Sequence, residues 1–394
     1  MKKRQAATIA VISALGPFQF DTYLPALPAL MLFMNTTDTM VQLTVTASLL
    51  GMALGQLFMG PISDAYGRHR PLLIAMAVFT LSGVACLFAT DITWMIIARF
   101  VLGFSAAGGF VINNAFIRDI ASGQKAARLY ATQAAIFSLA PVIAPLVGGQ
   151  LLMLGDWHVV FLFLVILGIG VFTMSAALLP ETLAPENRIK LNFRNTFKSW
   201  SHVIRDRRFM LLATMGGFLF GSIAVFIGAA PFAFQREYNL TATQYTYVFA
   251  GITALLLVSN TTNRLLLKKV ASITMLRYGL AQAAFAALMM VALNVFEIRD
   301  LWLVMLAIAL SVSATGFTSS NITGLAMRHH GERAGVAAGL IGFAGSFGGA
   351  VSTPITGILF GINGAGMTSF MAILLLSGAA MGLIGLRKEL PAKH

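Results

Sequence analysis

Apolar residues fill this chain in blocks too long for a strand and apolar on every face of a helix. A helix crosses a hydrocarbon core about 30 Å thick with roughly 20 mostly apolar residues. Blocks of that length run over 6–33, 41–62, 71–90, 93–118, 127–154, 158–179, 209–232, 243–265, 272–294, 301–326, 334–360 and 366–386. Short polar breaks separate them. The pattern predicts an all-α polytopic membrane protein with twelve transmembrane helices. The longest polar stretch follows the sixth block and divides the chain into a six-helix bundle over 1–180, a linker over 181–208 and a second six-helix bundle over 209–394. Two six-helix repeats around a midplane site are a transporter plan.

Inside the linker, Phe193, Phe197, Trp200 and Ile204 recur at helical spacing between basic residues. That suits either a helix lying on the membrane surface or a solvated charged connector. Each half also carries a glycine-rich fifth span, Ala140–Gly149 in the first and Gly339–Gly349 in the second.

Composition agrees with the pattern. Of 394 residues, 58% are hydrophobic and 10% charged, with mean hydropathy +0.82. A soluble domain carries about a quarter charged residues. The net charge is +13, which in a soluble protein would suggest nucleic acid. Its distribution excludes that: with the N-terminus inside, 24 of the 27 Lys and Arg fall on the cytoplasmic side. Only Arg236 and Arg299 face outside, and Arg99 lies within a span. This is the positive-inside pattern for an even number of spans with both ends cytoplasmic. The start, Met1-Lys2-Lys3-Arg4 before an apolar run, has the look of a signal peptide. The run is long, holds Asp21 and two prolines and shows no clear cleavage site, so a retained first span is expected. The single cysteine, Cys86, lies in an apolar run and is expected to be a packed thiol.

Chemistry enters at a few polar positions. Asp21 is the one acid well inside a span, and Arg99 the one deep base. An arginine within a span costs about 2.5–3.5 kcal/mol on insertion scales and so needs a partner. At 1.5 Å per residue, Arg99 lies roughly 9 Å from the outer end of its span and Asp21 roughly 22 Å from the inner end of its own. In a core about 30 Å thick those depths nearly coincide. Contact could be direct or through water. Burial and a neighbouring cation act in opposite senses on a carboxyl's charge. A carboxyl that loads and unloads one proton is the minimum equipment for coupling to a proton gradient. The bland alternative is a static ion pair that fixes helix packing.

After the second span comes G-P-I-S-D-A-Y-G-R-H-R-P-L-L, residues 60–73. Gly60 and Gly67 allow a tight turn, and Asp64 can cap a helix or pair with Arg68 or Arg70. Asp119, at the inner end of the fourth span, is a second possible partner for Arg68. In the fifth span, Pro141 and Pro145 bend the helix, and Gly148 and Gly149 allow close approach. For a cavity lining, Arg99, Gly103, Phe110 and Asn113 share one helical face. Gln133 and Phe137 lie on the face leading to Pro141. Phe18, Asp21 and Tyr23 on the first span and Phe218 and Phe226 on the seventh complete the set of substrate candidates. Such an aromatic lining with few polar anchors suits lipophilic, weakly polar compounds.

The 60–73 loop resembles the Gly-x-x-x-Asp-x-x-Gly-Arg-basic-basic motif of the major facilitator superfamily. Together with Asp21-Thr-Tyr-Leu-Pro-Ala-Leu-Pro28, Arg99 and the fifth-span motif, it looks like the Bcr/CflA-type drug–proton antiporters within that superfamily. The resemblance covers the twelve-span layout, although its specific motifs lie almost wholly in the first half. The second-half counterpart of the loop, Asn263–Lys269, is degenerate. The resemblance implies a cytoplasmic gate at Gly60, Asp64, Gly67, Arg68, Arg70 and Asp119 that holds the outward-closed state, and an antiporter-type fifth span. It also implies that Asp21 is the proton- and substrate-responsive acid, with Arg99 as its partner. Substrates of such families include amphenicols, bicyclomycin and sulfonamides. Some related exporters carry a second acid two turns earlier in the first span. Here that position is Ser13, which argues against more than one proton per cycle.

The expectation is a proton-coupled exporter of small lipophilic drugs in a bacterial inner membrane. It would need no metal or organic cofactor, since the proton gradient drives it, and it would work as a monomer, since one twelve-span chain can form a complete pathway. A proton symporter importing a nutrient is the first rival. A membrane-embedded enzyme is the second, but His158, His329 and His330 have no acid and nucleophile at evident spacing. A channel fits least, because no polar stripe runs the length of a span.

Overall fold

The computed structural model describes residues 3–121, 123–330 and 333–385. Every regular segment among them is helical. The first span is α1 (Lys3–Asp21), a tight turn of 3-10 type (Leu24–Ala26) and α2 (Leu27–Phe33). Then follow α3 (Asp38–Tyr66), α4 (His69–Leu87), α5 (Ile92–Ile120), α6 (Gly123–Leu154) and α7 (Trp157–Leu178). The linker holds α8 (Phe193–Ile204). The second half is α9 (Arg207–Phe232), α10 (Ala242–Leu266), α11 (Ser272–Val295), α12 (Leu301–Met327), α13 (Ala334–Ile355) and α14 (Gly364–Gly385). Eleven of these helices are long and apolar enough to cross a membrane, and the broken α1–α2 segment is the twelfth span. The protein is therefore a multi-pass membrane protein.

The break in the first span has a local cause. Pro25 and Pro28 have no N–H to give to a helix ladder. The Thr22 hydroxyl turns back onto the Phe18 carbonyl, and the Tyr23 N–H bonds to Phe20, three residues back, at 3.3 Å. Asp21 becomes the last residue of α1. Other acids sit where a helix favours them: Asp91, Asp156, Asp206 and Asp300 each accept a backbone N–H at the start of α5, α7, α9 and α12. A helix N-terminus carries partial positive charge and a C-terminus partial negative charge. Asp21 is at the wrong end for stability.

The chain forms two compact units, Met1–Thr196 with Asn239–Ala250, and Phe197–Tyr238 with Gly251–His394. The start of α10 thus groups with the first unit. Inside the first, α1 packs on α5, α6 and α7, and α4 on α5 and α7. Inside the second, the corresponding helices repeat the plan: α9 packs on α12, α13 and α14, and α11 on α12 and α14. The repeat extends to single positions. A Cβ on Gly103 of α5 would overlap the Ser48 carbonyl of α3, and one on Gly316 of α12 would overlap the Ser259 hydroxyl of α10. A Cβ on Gly148 of α6 would overlap the Thr22 carbonyl, and one on Gly348 of α13 the Gly217 carbonyl of α9. Without a hydrophobic drive between helices in lipid, such close backbone approach is what holds them together.

Cys86 is a buried free thiol. The expected turn at Gly60 and Gly67 belongs to Gly67 alone, with φ +88°; Gly60 lies inside α3, beside Pro61, where an added Cβ would meet the Val111 side chain at ordinary contact distance.

Packing at Gly103 is testable. Gly103→Val should lower the thermal unfolding midpoint of the purified protein by the equivalent of about 1–3 kcal/mol of overpacking. Gly170→Val on α7, where a Cβ meets nothing within 4 Å, should leave the midpoint unchanged.

Candidate functional site

Two polar clusters stand out in the first unit. The first is built around Arg68, whose side chain is buried. Its guanidinium reaches Asp64 one turn earlier on α3 at 2.6 Å, Asp119 at the end of α5 at 2.9 Å, and the Ser63 hydroxyl at 2.8 Å. Burial works against the Arg68 charge, but Asp119 and Asp64 outweigh it and hold the group above its ordinary value. Glu181, the first acid after α7, accepts the Arg68 and His69 N–H groups at the start of α4 at 2.8 and 3.3 Å. Gly67 admits this carboxylate, which a Cβ there would overlap. Thr182 bonds to Asp119 at 3.2 Å, and Arg188 approaches Glu181 at 3.8 Å. The head of the linker is thereby tied to the loop and to α5. Arg70, expected in this cluster, is exposed at the start of α4 and makes no hydrogen bond or ion pair with the described residues. Two residues, about half a helical turn, put the two arginines on opposite faces, and only Arg68 is directed inward.

The second cluster lies where α1 breaks. Arg99 is fully buried. Its Nη1 donates to the Gln19 carbonyl at 2.7 Å and to Gln19 Oε1 at 3.2 Å. Its guanidinium lies 4.6 Å from the ring centre of Tyr23 and 5.7 Å from that of Phe20, a cation–π arrangement. Tyr23 is itself held by a 3.1 Å hydrogen bond to Thr44 on α3. Asp21 is buried, and among the described residues it makes no hydrogen bond or ion pair. Equal depth therefore does not produce a direct Asp21–Arg99 pair. The guanidinium turns instead to Gln19, two residues earlier on the same helix end. Tyr245 on α10, in the stretch that groups with the first unit, is fully buried within electrostatic range of Asp21.

A model of the family described as "Major Facilitator Superfamily" matches residues 9–353. The chain belongs to the major facilitator superfamily. It is 30% identical over 392 residues to an uncharacterized MFS-type transporter, YdgK, of Bacillus subtilis (strain 168), spanning 98% of this chain and 95% of that one. It is 27% identical over 335 residues to a bicyclomycin resistance protein homolog of Haemophilus influenzae, spanning 85% and 84%. Such relatives agree with membership of the Bcr/CflA-type drug antiporter subfamily. The fold matches the xylose transporter XylE from E. coli, in a partially occluded inward open conformation, with TM-score 0.76 and 14% identity over 99% of each chain. The protein is thus a transporter of small molecules and not an enzyme.

The remaining candidates of this transporter divide into packed and open positions. Gly103 is a contact glycine between α5 and α3. Asn113 is fully buried and binds the Ile9 carbonyl and Ser13 hydroxyl, both at 2.8 Å, which ties α5 to α1 rather than lining a cavity. Phe226 is fully buried in α9, and Phe218 packs near Gly378 of α14. Phe18 sits 6.3 Å from the ring of Phe163 on α7. Phe110 and Phe137 pair at 5.5 Å and both keep open surface. Gln133, one turn before Phe137, is buried with its Nε2 lacking a partner. Pro141 and Pro145 lie within an unbroken α6, Gly148 meets α1 at Thr22, and Gly149 meets Thr246 of α10. No ion pair like that of Arg68 is seen at the equivalent place among the described residues of the second half. Asn263 and Asn321 instead join α10 and α12 through a 3.0 Å amide bond.

Gln19, Ser48, Tyr245, Glu181 and Thr182 were not singled out from the sequence. Only Glu181 carried a signal, as the first acid beyond the sixth apolar block.

The Glu181 carboxylate gives a pH prediction. Partial burial raises its proton affinity, but N–H groups of Leu183, Arg68, His69 and Thr182 outweigh that and hold it below its ordinary 4.5. A carboxyl depressed in the folded state contributes stability that is present above its unfolded value and is lost as pH falls through the folded value. Thermal stability of the native transporter should therefore fall as pH drops below about 4.5. In Glu181→Gln the neutral-pH midpoint should be lower and this part of the acid-induced loss absent.

Proposed function

We propose that the transporter exports small lipophilic drugs of the amphenicol, bicyclomycin or sulfonamide kind in exchange for protons, by alternating access. The observation that carries this reading is Asp21: a buried carboxyl at the negative end of α1, without an ion pair or hydrogen bond among the described residues. Nothing in the local structure is stabilised by placing an acid there, and ionisable groups at membrane depth mark ion pathways and proton relays. The partly open aromatic pair Phe110–Phe137 and the unpartnered Gln133 amide offer the apolar wall and sparse polar anchor that a weakly polar drug needs. The bicyclomycin-resistance name of one relative supports the substrate class.

On this reading, Asp21 takes a proton from outside as cargo leaves and releases it inside as cargo binds. One charge moved across 100 mV supplies about 2.3 kcal/mol. That sustains a gradient of roughly fiftyfold for a neutral cargo, at tenfold per 1.4 kcal/mol. The proton gradient takes the place of a cofactor, and one chain forms the pathway as a monomer. The excess of Lys and Arg in the loops on one side supports cytoplasmic termini, and the bacterial relatives support an inner-membrane location. The Arg68 cluster then lies on the cytoplasmic side and serves as a gate that the transport cycle opens and closes.

Asp21→Asn should insert and fold yet fail to accumulate chloramphenicol in inverted vesicles energised by a proton gradient. Exchange of labelled for unlabelled drug at equal concentrations should persist. Uphill accumulation undiminished by the substitution would remove Asp21 from the coupling step.

A further inference from the structure

The seat of Arg99 is made by the break in the first span. In an uninterrupted helix the Tyr23 N–H would bond to the Gln19 carbonyl four residues back. It bonds to Phe20 instead, and the Gln19 carbonyl is released to accept Arg99 Nη1 at 2.7 Å. The Gln19 side chain folds onto the same nitrogen, its Oε1 at 3.2 Å, and that oxygen is steadied by the Ser48 hydroxyl at 2.9 Å. Gln19, Ser48 and Arg99 are all fully buried. Ser48 and Arg99 lie on helices locked together at Gly51 and Gly103, where added Cβ atoms would overlap the Phe100 and Ser48 carbonyls. One residue thus presents both of its oxygens to a cation fixed on a rigid frame.

Neutral oxygens offset a buried charge only in part. Arg99 Nε and Nη2 find no acceptor among the described residues. Charge-assisted bonds to a carboxylate are roughly twice as strong as neutral ones. The other titratable groups around the guanidinium are Tyr23, stacked on its face, and Cys86 on α4. Tyr245 faces Asp21 from α10. Neither Tyr23 nor Cys86 is ordinarily anionic near neutral pH; the ordinarily anionic group on the same helix end is Asp21, two residues beyond Gln19. Among the described residues it makes no hydrogen bond or ion pair.

We propose that Gln19 is a positioning residue: it seats Arg99 away from Asp21 in this state, and the guanidinium exchanges that neutral seat for the Asp21 carboxylate in the other arm of the cycle. The inference rests on the proton-coupling reading of Asp21. When the proton leaves Asp21 for water, the carboxylate that remains draws Arg99 across. When Asp21 is protonated again, Arg99 returns to the two oxygens of Gln19. Gln19 acts through Arg99 and touches neither proton nor cargo.

The test is an infrared titration of the purified full-length protein. The protonated-carboxyl band of Asp21 is identified by its loss in Asp21→Asn, and its pH midpoint is read in each variant. Gln19→Leu removes the side-chain seat, so Arg99 turns to Asp21 and the midpoint should fall by about 1–3 pH units, as for a carboxyl gaining an arginine neighbour. In an Arg99→Gln background, Gln19→Leu should move it no further. Where Gln19→Leu is not recovered folded, Gln19→Met, of similar length, is read in the same way. An unchanged midpoint, or a shift that persists without Arg99, overturns the proposal. The titration needs no cargo, so it remains decisive if drug export is not the function. Loss of uphill transport in Asp21→Asn with an unmoved Gln19→Leu midpoint would overturn the seat exchange alone.

Discussion

A charge inside a hydrocarbon layer must be met by the protein, because lipid offers it nothing. The transporter meets Arg99 with two neutral oxygens of one glutamine and two aromatic faces, and among the described residues leaves Asp21 without a hydrogen bond or ion pair. This arrangement is stable only because the frame around it is stiff. Helices α3 and α5 touch backbone to backbone at Gly51 and Gly103, so Arg99 cannot relax by spreading its neighbours. A rigid frame with a half-satisfied charge favours discrete alternatives over gradual drift, which is the behaviour alternating access requires.

The same frame explains why the two halves share packing yet differ in chemistry. Glycines at equivalent contacts, Gly103 with Gly316 and Gly148 with Gly348, build the same close helix approaches twice. Where the first half joins its second and fourth spans through Arg68 with Asp64 and Asp119, the second half uses the Asn263–Asn321 amide bond. Elsewhere in the second half, Asp206 at the start of α9 and the His330 ring meet at 3.0 Å. Burial pushes the Asp206 carboxyl up, but N–H groups of Arg208 and Phe209 and the His330 ring hold it below its ordinary value. Packing is conserved between repeats by steric need, whereas a charge can be replaced by an amide wherever only a link is wanted.

Much of this was legible in the sequence, for reasons that differ by element. The spans could be read because twenty apolar residues in a row have few other uses, and all twelve lie where the apolar blocks run. The Asp64–Arg68–Asp119 links were also readable, since short sequence spacing and common helix ends bring those groups together. Depth alone left the contact between Asp21 and Arg99 open. Equal height in the membrane says nothing of which face of α1 each side chain meets, and the break at Thr22 turns Gln19, not Asp21, toward Arg99. Helical-face arguments also assigned Gly103 and Asn113 to a cavity, when one is a contact glycine and the other a link to Ile9 and Ser13. A face that looks inward on a helical wheel meets a neighbouring helix as readily as a cavity. Glu181 escaped because its partners at the start of α4 are backbone N–H groups more than a hundred residues away, and backbone donors leave no mark in a sequence.

The break in the first span joins these strands of the argument. Pro25 and Pro28 end the helical ladder within a few residues of Asp21, and one consequence of that ending is the free Gln19 carbonyl. The sequence feature that first marks the span as unusual, a carboxylate followed by Leu-Pro-Ala-Leu-Pro, is therefore not two features. The interruption near the prolines coincides with a Gln19 carbonyl free to accept from Arg99, and the acid beside it makes no hydrogen bond or ion pair among the described residues. A continuous helix with the same aspartate would bury the Gln19 carbonyl in its own ladder and leave Arg99 no main-chain acceptor on α1.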